Sequence, residues 1–200
     1  QITAFHPGAM ASSYLNKVGD AGDVSFGIVA PDSRDGMLQH AAQFHDHKIP
    51  FIFDPGQALP VFNGDELRYF IELADYVAVN DYEARVLEER TGEPLSKLTD
   101  RVKAFFVTKG AEGSVIYADG QQIAVPSVRE NRRVDPTGCG DAYRAGMLYG
   151  IERGWSWQKI GRLANTMGSL KIEFRGPQGH QPTRDEIATR YSTAFDEPLW

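Results

Sequence analysis

The sequence predicts an α/β fold: a mostly parallel sheet with helices on both faces and an antiparallel hairpin at one edge. Three observations carry this. Short β-rich runs alternate with helical stretches from residue 21 to residue 110, the order that builds a parallel sheet covered on both sides. Two later runs are separated only by Asp119-Gly120, a pair favoured in type I′ turns, and so should form a hairpin. Two further helical stretches follow the hairpin, with no repeat and no low-complexity linker.

The elements can be justified in order. AGDVSFGIVAP (21 to 31) holds a short apolar run and reads as a strand. In 33 to 48, Met37, Leu38, Ala41, Ala42 and Phe44 fall near helical spacing behind Ser33 as N-cap. PFIFDPG (50 to 56) is an apolar run stopped by Pro55 and Gly56, hence a strand. Leu67, Phe70, Ile71 and Ala74 place a helix over 63 to 74, and DYVAVN (75 to 80) a strand after it. Residues 81 to 92 form a helix with Asp81 near its start and Gly92 as its stop. RVKAFFVTKG (101 to 110) is a strand, and 114 to 125 the hairpin. Helices follow at about 139 to 152 and 156 to 171. An amphipathic stretch (183 to 195) lies beyond the loop RGPQGHQP.

The 200 residues suit one domain with a sizeable core. A net charge of −6 argues against electrostatic binding of nucleic acid. No apolar run approaches the roughly 18 residues of a membrane span, so no membrane association is expected. A single cysteine, Cys139, rules out an internal disulfide framework and any multi-cysteine zinc site, which makes a reducing, cytoplasmic setting the default. The five histidines show no zinc spacing. The chain starts at Gln1 in mid-pattern, and QITAFHPGAM does not read as a signal peptide.

In such sheets, ligands sit at the carboxyl ends of the strands. Asp54-Pro55-Gly56, Asn80 to Glu83 and Thr108 to Gly113 fall at those ends. The segment VDPTGCGDAYRAG (134 to 146) has the strongest chemical signal. Gly138-Cys139-Gly140-Asp141 reads as a loop turning into a helix, whose first N–H groups have no internal partners and, with the helix dipole, attract an anion. Glycines and a small Cys139 let a phosphate approach. A carboxylate placed beside a phosphate would repel it, so Asp141 makes sense as a general base that deprotonates an attacking hydroxyl. The plainer alternative is a glycine-rich turn with Asp141 as a helix-capping acid. Cys139 as a thiolate nucleophile is another, set against a small residue whose backbone does the work. GxxxxGK[ST] does not occur. GxGxxG fails because its third glycine position holds Tyr143, which argues against a dinucleotide-dependent oxidoreductase.

DPTGCGDAYRAG resembles the C-terminal signature of the PfkB carbohydrate kinase family, the ribokinase and adenosine kinase group, whose pattern is close to DTTGAGDxFxAG. Asp135, Thr137, Gly138, Gly140, Asp141, Ala145 and Gly146 match, while Pro136, Cys139 and Tyr143 depart mildly. The resemblance runs along nearly the whole chain, in order. It implies a ribokinase-like fold and a single α/β kinase domain over residues 1 to 200. This would be the C-terminal two-thirds of a typical member, without the family's first strands, lid and most acceptor contacts.

The resemblance also implies roles. Asp141 is the catalytic base, and the backbone of Gly138, Cys139 and Gly140 the anion hole. Asn80 and Glu83 match the NxxE motif that organises Mg²⁺, largely through water. Thr108, Gly110 and Gly113 match the TxGxxG turn at the ATP phosphates. Asn165 matches a position near the adenine, unless it is a helix-surface residue, and Gly176 to His180 a loop closing that pocket. Asp135 and Thr137 match a K⁺-type site of some members, although Lys171 and Phe174 are bulky where relatives often have smaller residues. The implied activity is ATP-dependent phosphorylation of a sugar or nucleoside, adenosine first. A ribose- or fructose-type sugar kinase and a non-catalytic nucleotide-binding relative remain as alternatives, and a homodimer stays open.

Overall fold

The computed structural model describes residues 6–200. The start of QITAFHPGAM lies outside the described residues. Residues from 8 onward begin with two stretches of 3-10 helix, Gly8–Leu15 and Val18–Ala21. The chain then gathers into two compact units, each with its own core.

The first unit runs to Val107 and includes the hairpin tip at Ala118–Gly120. Its strands are β1 (Gly27–Val29), β2 (Phe51–Phe53), β3 (Tyr76–Asn80) and β4 (Ala104–Thr108), adjacent in chain order. β1 pairs parallel with β2, matching Ile28 to Ile52, and β2 pairs parallel with β3, matching Phe53 to Val77. Every residue of β2 and the first four of β3 and β4 are buried. Strands buried on both faces need cover on both sides, which is why they read as unbroken apolar runs rather than alternating ones. The helices are α1 (Arg34–Asp46), α2 (Gly64–Leu73), α3 (Asp81–Thr91) and the short α4 (Leu95–Thr99). Phe70 of α2 stacks on Phe53 at 4.5 Å between ring centroids and meets Phe62 edge-on at 4.9 Å.

Local signals set the element ends. Ser33 accepts a hydrogen bond from the Gly36 amide at 3.1 Å and caps α1. Gly92 ends α3 in the left-handed conformation, φ 69°. Asp119 (φ 52°) and Gly120 (φ 69°) both take the left-handed geometry that a two-residue type I′ turn requires. The five-residue α4 and the 3-10 stretches are too short to show a period and were not legible in the sequence.

The second unit begins at Thr108 and contains β5 (Ser114–Ala118), β6 (Gln121–Val125), α5 (Cys139–Glu152), α6 (Trp157–Lys171) and α7 (Arg184–Phe195). β5 and β6 form the expected hairpin. α5 lies tightly on α6: a Cβ on Gly146 would come within 2.8 Å of the Ala164 Cα, so only glycine allows this approach. Leu163, Tyr191 and Leu199 form a buried cluster, with Tyr149, Trp155 and Phe195 packed against it. Among the described residues no helix is long and apolar enough to cross a membrane.

Candidate active site

α5 starts without a side-chain cap. Gly138 takes the N-cap position at φ 86°, ψ 1°. A Cβ there would lie 2.8 Å from the Pro177 carbonyl oxygen and 2.9 Å from its Cα, so the position excludes every other residue by conformation and by space. The Cys139 amide donates to the Pro136 carbonyl at 3.1 Å, and the Ala142 amide to Gly138 at 3.0 Å. Between them the Gly140 and Asp141 amides have no acceptor among the described residues, nor does that of Gly138. The free donors are therefore Gly138, Gly140 and Asp141. The expected contribution of the Cys139 amide is already spent on Pro136.

Asp141 occupies the first turn of α5 and is exposed. Its carboxylate makes no hydrogen bond or ion pair among the described residues, so it does not cap the helix. Arg144, one turn on, was missed in the sequence. Its Nη1 lies 2.6 Å from where a Cβ on Gly140 would be, which puts a guanidinium against the glycine loop. The signal was the (i, i+4) spacing of Gly140 and Arg144, which stacks the two on one helix face.

Burial raises the Cys139 thiol above its ordinary value, against the charge of Lys171, which lowers it. A raised thiol is the opposite of an activated nucleophile. Cys139→Ala is expected to keep turnover within about threefold of wild type, measured as ADP release.

The loop before α5 is stapled by Asp135. One carboxylate oxygen accepts from the Thr137 amide at 2.9 Å and the other from the Gly176 amide at 2.8 Å. These bonds, the Thr137 amide first, lower the Asp135 carboxyl to about 2. Lys171 at the end of α6 is fully buried, and its Nζ donates to the carbonyls of Asp135 at 3.0 Å and Phe174 at 3.1 Å.

A cavity of about 280 Å³ opens beside this loop. Thr108, Gly110, Ala111 and Gly113 form one wall, and Pro136, Cys139 and Gly140 another. Gly113 sits at φ 97°, where a Cβ would meet the Val125 carbonyl oxygen at 2.2 Å. Ser127 Oγ donates to the Ala111 carbonyl at 2.6 Å and holds the turn. Asn165 is 9% exposed and lines the cavity. Its Nδ2 donates to the carbonyls of Val125 at 3.2 Å and Pro126 at 3.0 Å, so it is a buried tie between α6 and the end of β6, not a helix-surface residue. Glu130 and Arg133, also in the wall, form an ion pair. His180 is not in the wall. Its Nδ1 is buried without a partner among the described residues, and burial, helped by Lys171, lowers its pKa.

Asn80 and Glu83 belong to the first unit, at the end of β3 and the start of α3. They form a reciprocal capping box: the Glu83 amide donates to Asn80 Oδ1 at 2.8 Å, and the Asn80 amide to Glu83 Oε2 at 2.8 Å. Oε1 of Glu83 has no hydrogen bond among the described residues. No group of three or more acidic, histidine or cysteine side chains among the described residues could hold a metal directly. A half-exposed carboxylate with one free oxygen fits Mg²⁺ held through water, since that ion keeps much of its hydration.

The pfkB family carbohydrate kinase model matches residues 14–184. The chain is similar to a nucleoside kinase of Burkholderia thailandensis, solved in complex with inosine. The two share 50% identity and a TM-score of 0.97 over 99% of this chain and 66% of that one. A second structure of that protein, in complex with ADP-inosine, gives a TM-score of 0.96 at 50% identity, covering 99% of this chain and 62% of the other. Among curated relatives, a nucleoside kinase of Methanocaldococcus jannaschii is 35% identical over 138 residues, 69% of this chain and 46% of the relative. A ribokinase of Bacillus subtilis is 31% identical over 145 residues, 72% and 46%. The chain spans about half the length of these curated relatives.

Proposed function

The chain belongs to the pfkB family of carbohydrate kinases, and on that premise we propose that the full-length protein is an ATP-dependent kinase phosphorylating a nucleoside hydroxyl, adenosine first. One observation carries the reading: the uncommitted amides of Gly138, Gly140 and Asp141 stand beside the uncommitted carboxylate of Asp141 at the head of α5. The amides hold the transferring γ-phosphoryl group and stabilise its developing charge. The acceptor hydroxyl gives its proton to Asp141, its oxygen bonds to the γ-phosphorus, and the bond from phosphorus to the bridging oxygen breaks, releasing ADP. The cavity walled by Gly110, Ala111, Gly113 and Asn165 receives the nucleotide. A Mg²⁺ ion would supply charge to the phosphates; within the first unit, Glu83 is the candidate protein contact for such an ion, through water. The proposed setting is the cytoplasm, where ATP is available.

A nucleoside acceptor is supported by the Burkholderia protein, similar over 99% of this chain and bound to inosine in its structure. The test is ADP production by the full-length protein with Mg-ATP, comparing adenosine and inosine against ribose and fructose. Turnover with a nucleoside alone supports the proposal. Turnover with a sugar alone moves it to the sugar kinases, and nucleotide binding without turnover on any acceptor overturns it in favour of a regulatory relative.

A further inference from the structure

We propose that the Lys171 ammonium takes the place of a monovalent metal cation beneath the phosphate loop, so that this protein binds nucleotide without any requirement for potassium. The inference rests on the kinase reading above.

Lysine is almost never fully buried unless it is paired, and Lys171 is 0% exposed. Its partners are two backbone carbonyls, those of Asp135 and Phe174, the kind of oxygens that replace water around a potassium ion. They belong to two segments joined there by other bonds: the Val134 and Asp135 amides both donate to the Ile172 carbonyl, at 2.9 and 3.1 Å, and the Gly176 amide donates to the Asp135 carboxylate. The ammonium thus sits where the irregular segment entering the loop before α5 crosses the turn leaving α6. A metal cation at Asp135 would share its carbonyl with a like charge a few ångströms away, at a cost that burial magnifies. The Asp135 carboxylate is itself engaged, accepting from the Thr137 amide at one oxygen and the Gly176 amide at the other. The residues present do not fit a resident potassium ion. They fit a cation tethered to the chain. Its field reaches the loop, since the same charge opposes the burial that raises the Cys139 thiol.

The test uses the full-length protein in potassium chloride and in tetramethylammonium chloride at equal ionic strength, reading melting temperature and ADP affinity by calorimetry. Wild type is expected to show the same values in both salts. Lys171→Ala, which takes the donor from two carbonyls and opens room for an ion, should melt roughly 5–15 °C lower in tetramethylammonium. It should recover in potassium or ammonium chloride. Lys171→Met, which fills the space without the charge, should melt low in every salt. Potassium-dependent melting or ADP affinity in wild type overturns the proposal, whether or not the variants fold. So does a Lys171→Ala protein indifferent to all three salts. If ADP fails to bind in any salt, the kinase reading falls, but the melting series still decides the cation question.

Discussion

Replacing Asp141 by Asn is expected to lower turnover by roughly 10²- to 10⁴-fold while leaving ATP affinity within about threefold, the usual signature of a lost general base. Asparagine keeps the shape and removes the proton acceptor. Asp141 is suited to this test because its carboxylate serves no structural bond: α5 is capped by Gly138, without a side chain, so the substitution takes no cap from the helix. The melting temperature should move little, because exposed substitutions away from such features stay within about 0.5 kcal/mol. Steady-state kinetics beside calorimetric ATP titration separate the two quantities. Unchanged turnover would remove Asp141 from the proton transfer.

Gly138→Ala is expected to damage both catalysis and folding. The left-handed backbone costs a non-glycine residue about 1–3 kcal/mol. The added methyl would also lie within 3 Å of two Pro177 backbone atoms, which cannot swing aside as a side chain could. The loop must shift, and with it the amides proposed to receive the phosphoryl group. A displacement of about 1 Å in such a site costs roughly 10²-fold in rate, so turnover should fall by at least that much. The melting temperature should drop by roughly 4–12 °C. Near-normal kinetics and melting in Gly138→Ala would mean that the loop tolerates another geometry and that its amides are not the anion hole.

The fold was legible because its signals are local. Alternation of apolar runs, the Ser33 cap, Gly92 at the end of α3 and Asp119-Gly120 at the hairpin tip each act within a few residues, and the structure carries all of them. The glycine turn that opens α5 was legible for the same reason, since Gly138 at the N-cap acts within a few residues. What the sequence could not give depends on contacts between distant segments. Whether Asn165 faces solvent or ties α6 to β6 is decided by residues about 40 positions away. The commitment of the Cys139 amide is a matter of loop curvature, and composition does not encode it. Lys171 read as an obstruction, because only the folded chain brings the Asp135 carbonyl to its ammonium.

The Cys139 thiol has a consequence for durability. Peroxide and alkylating reagents attack the thiolate, so a sulfur kept protonated by its surroundings is a slow target. The loop is therefore expected to be alkylated and oxidised slowly at this position, which the rate of iodoacetamide labelling would check. Nucleotide handling should persist through an oxidising episode that would silence a protein with an acidic cysteine in the same place.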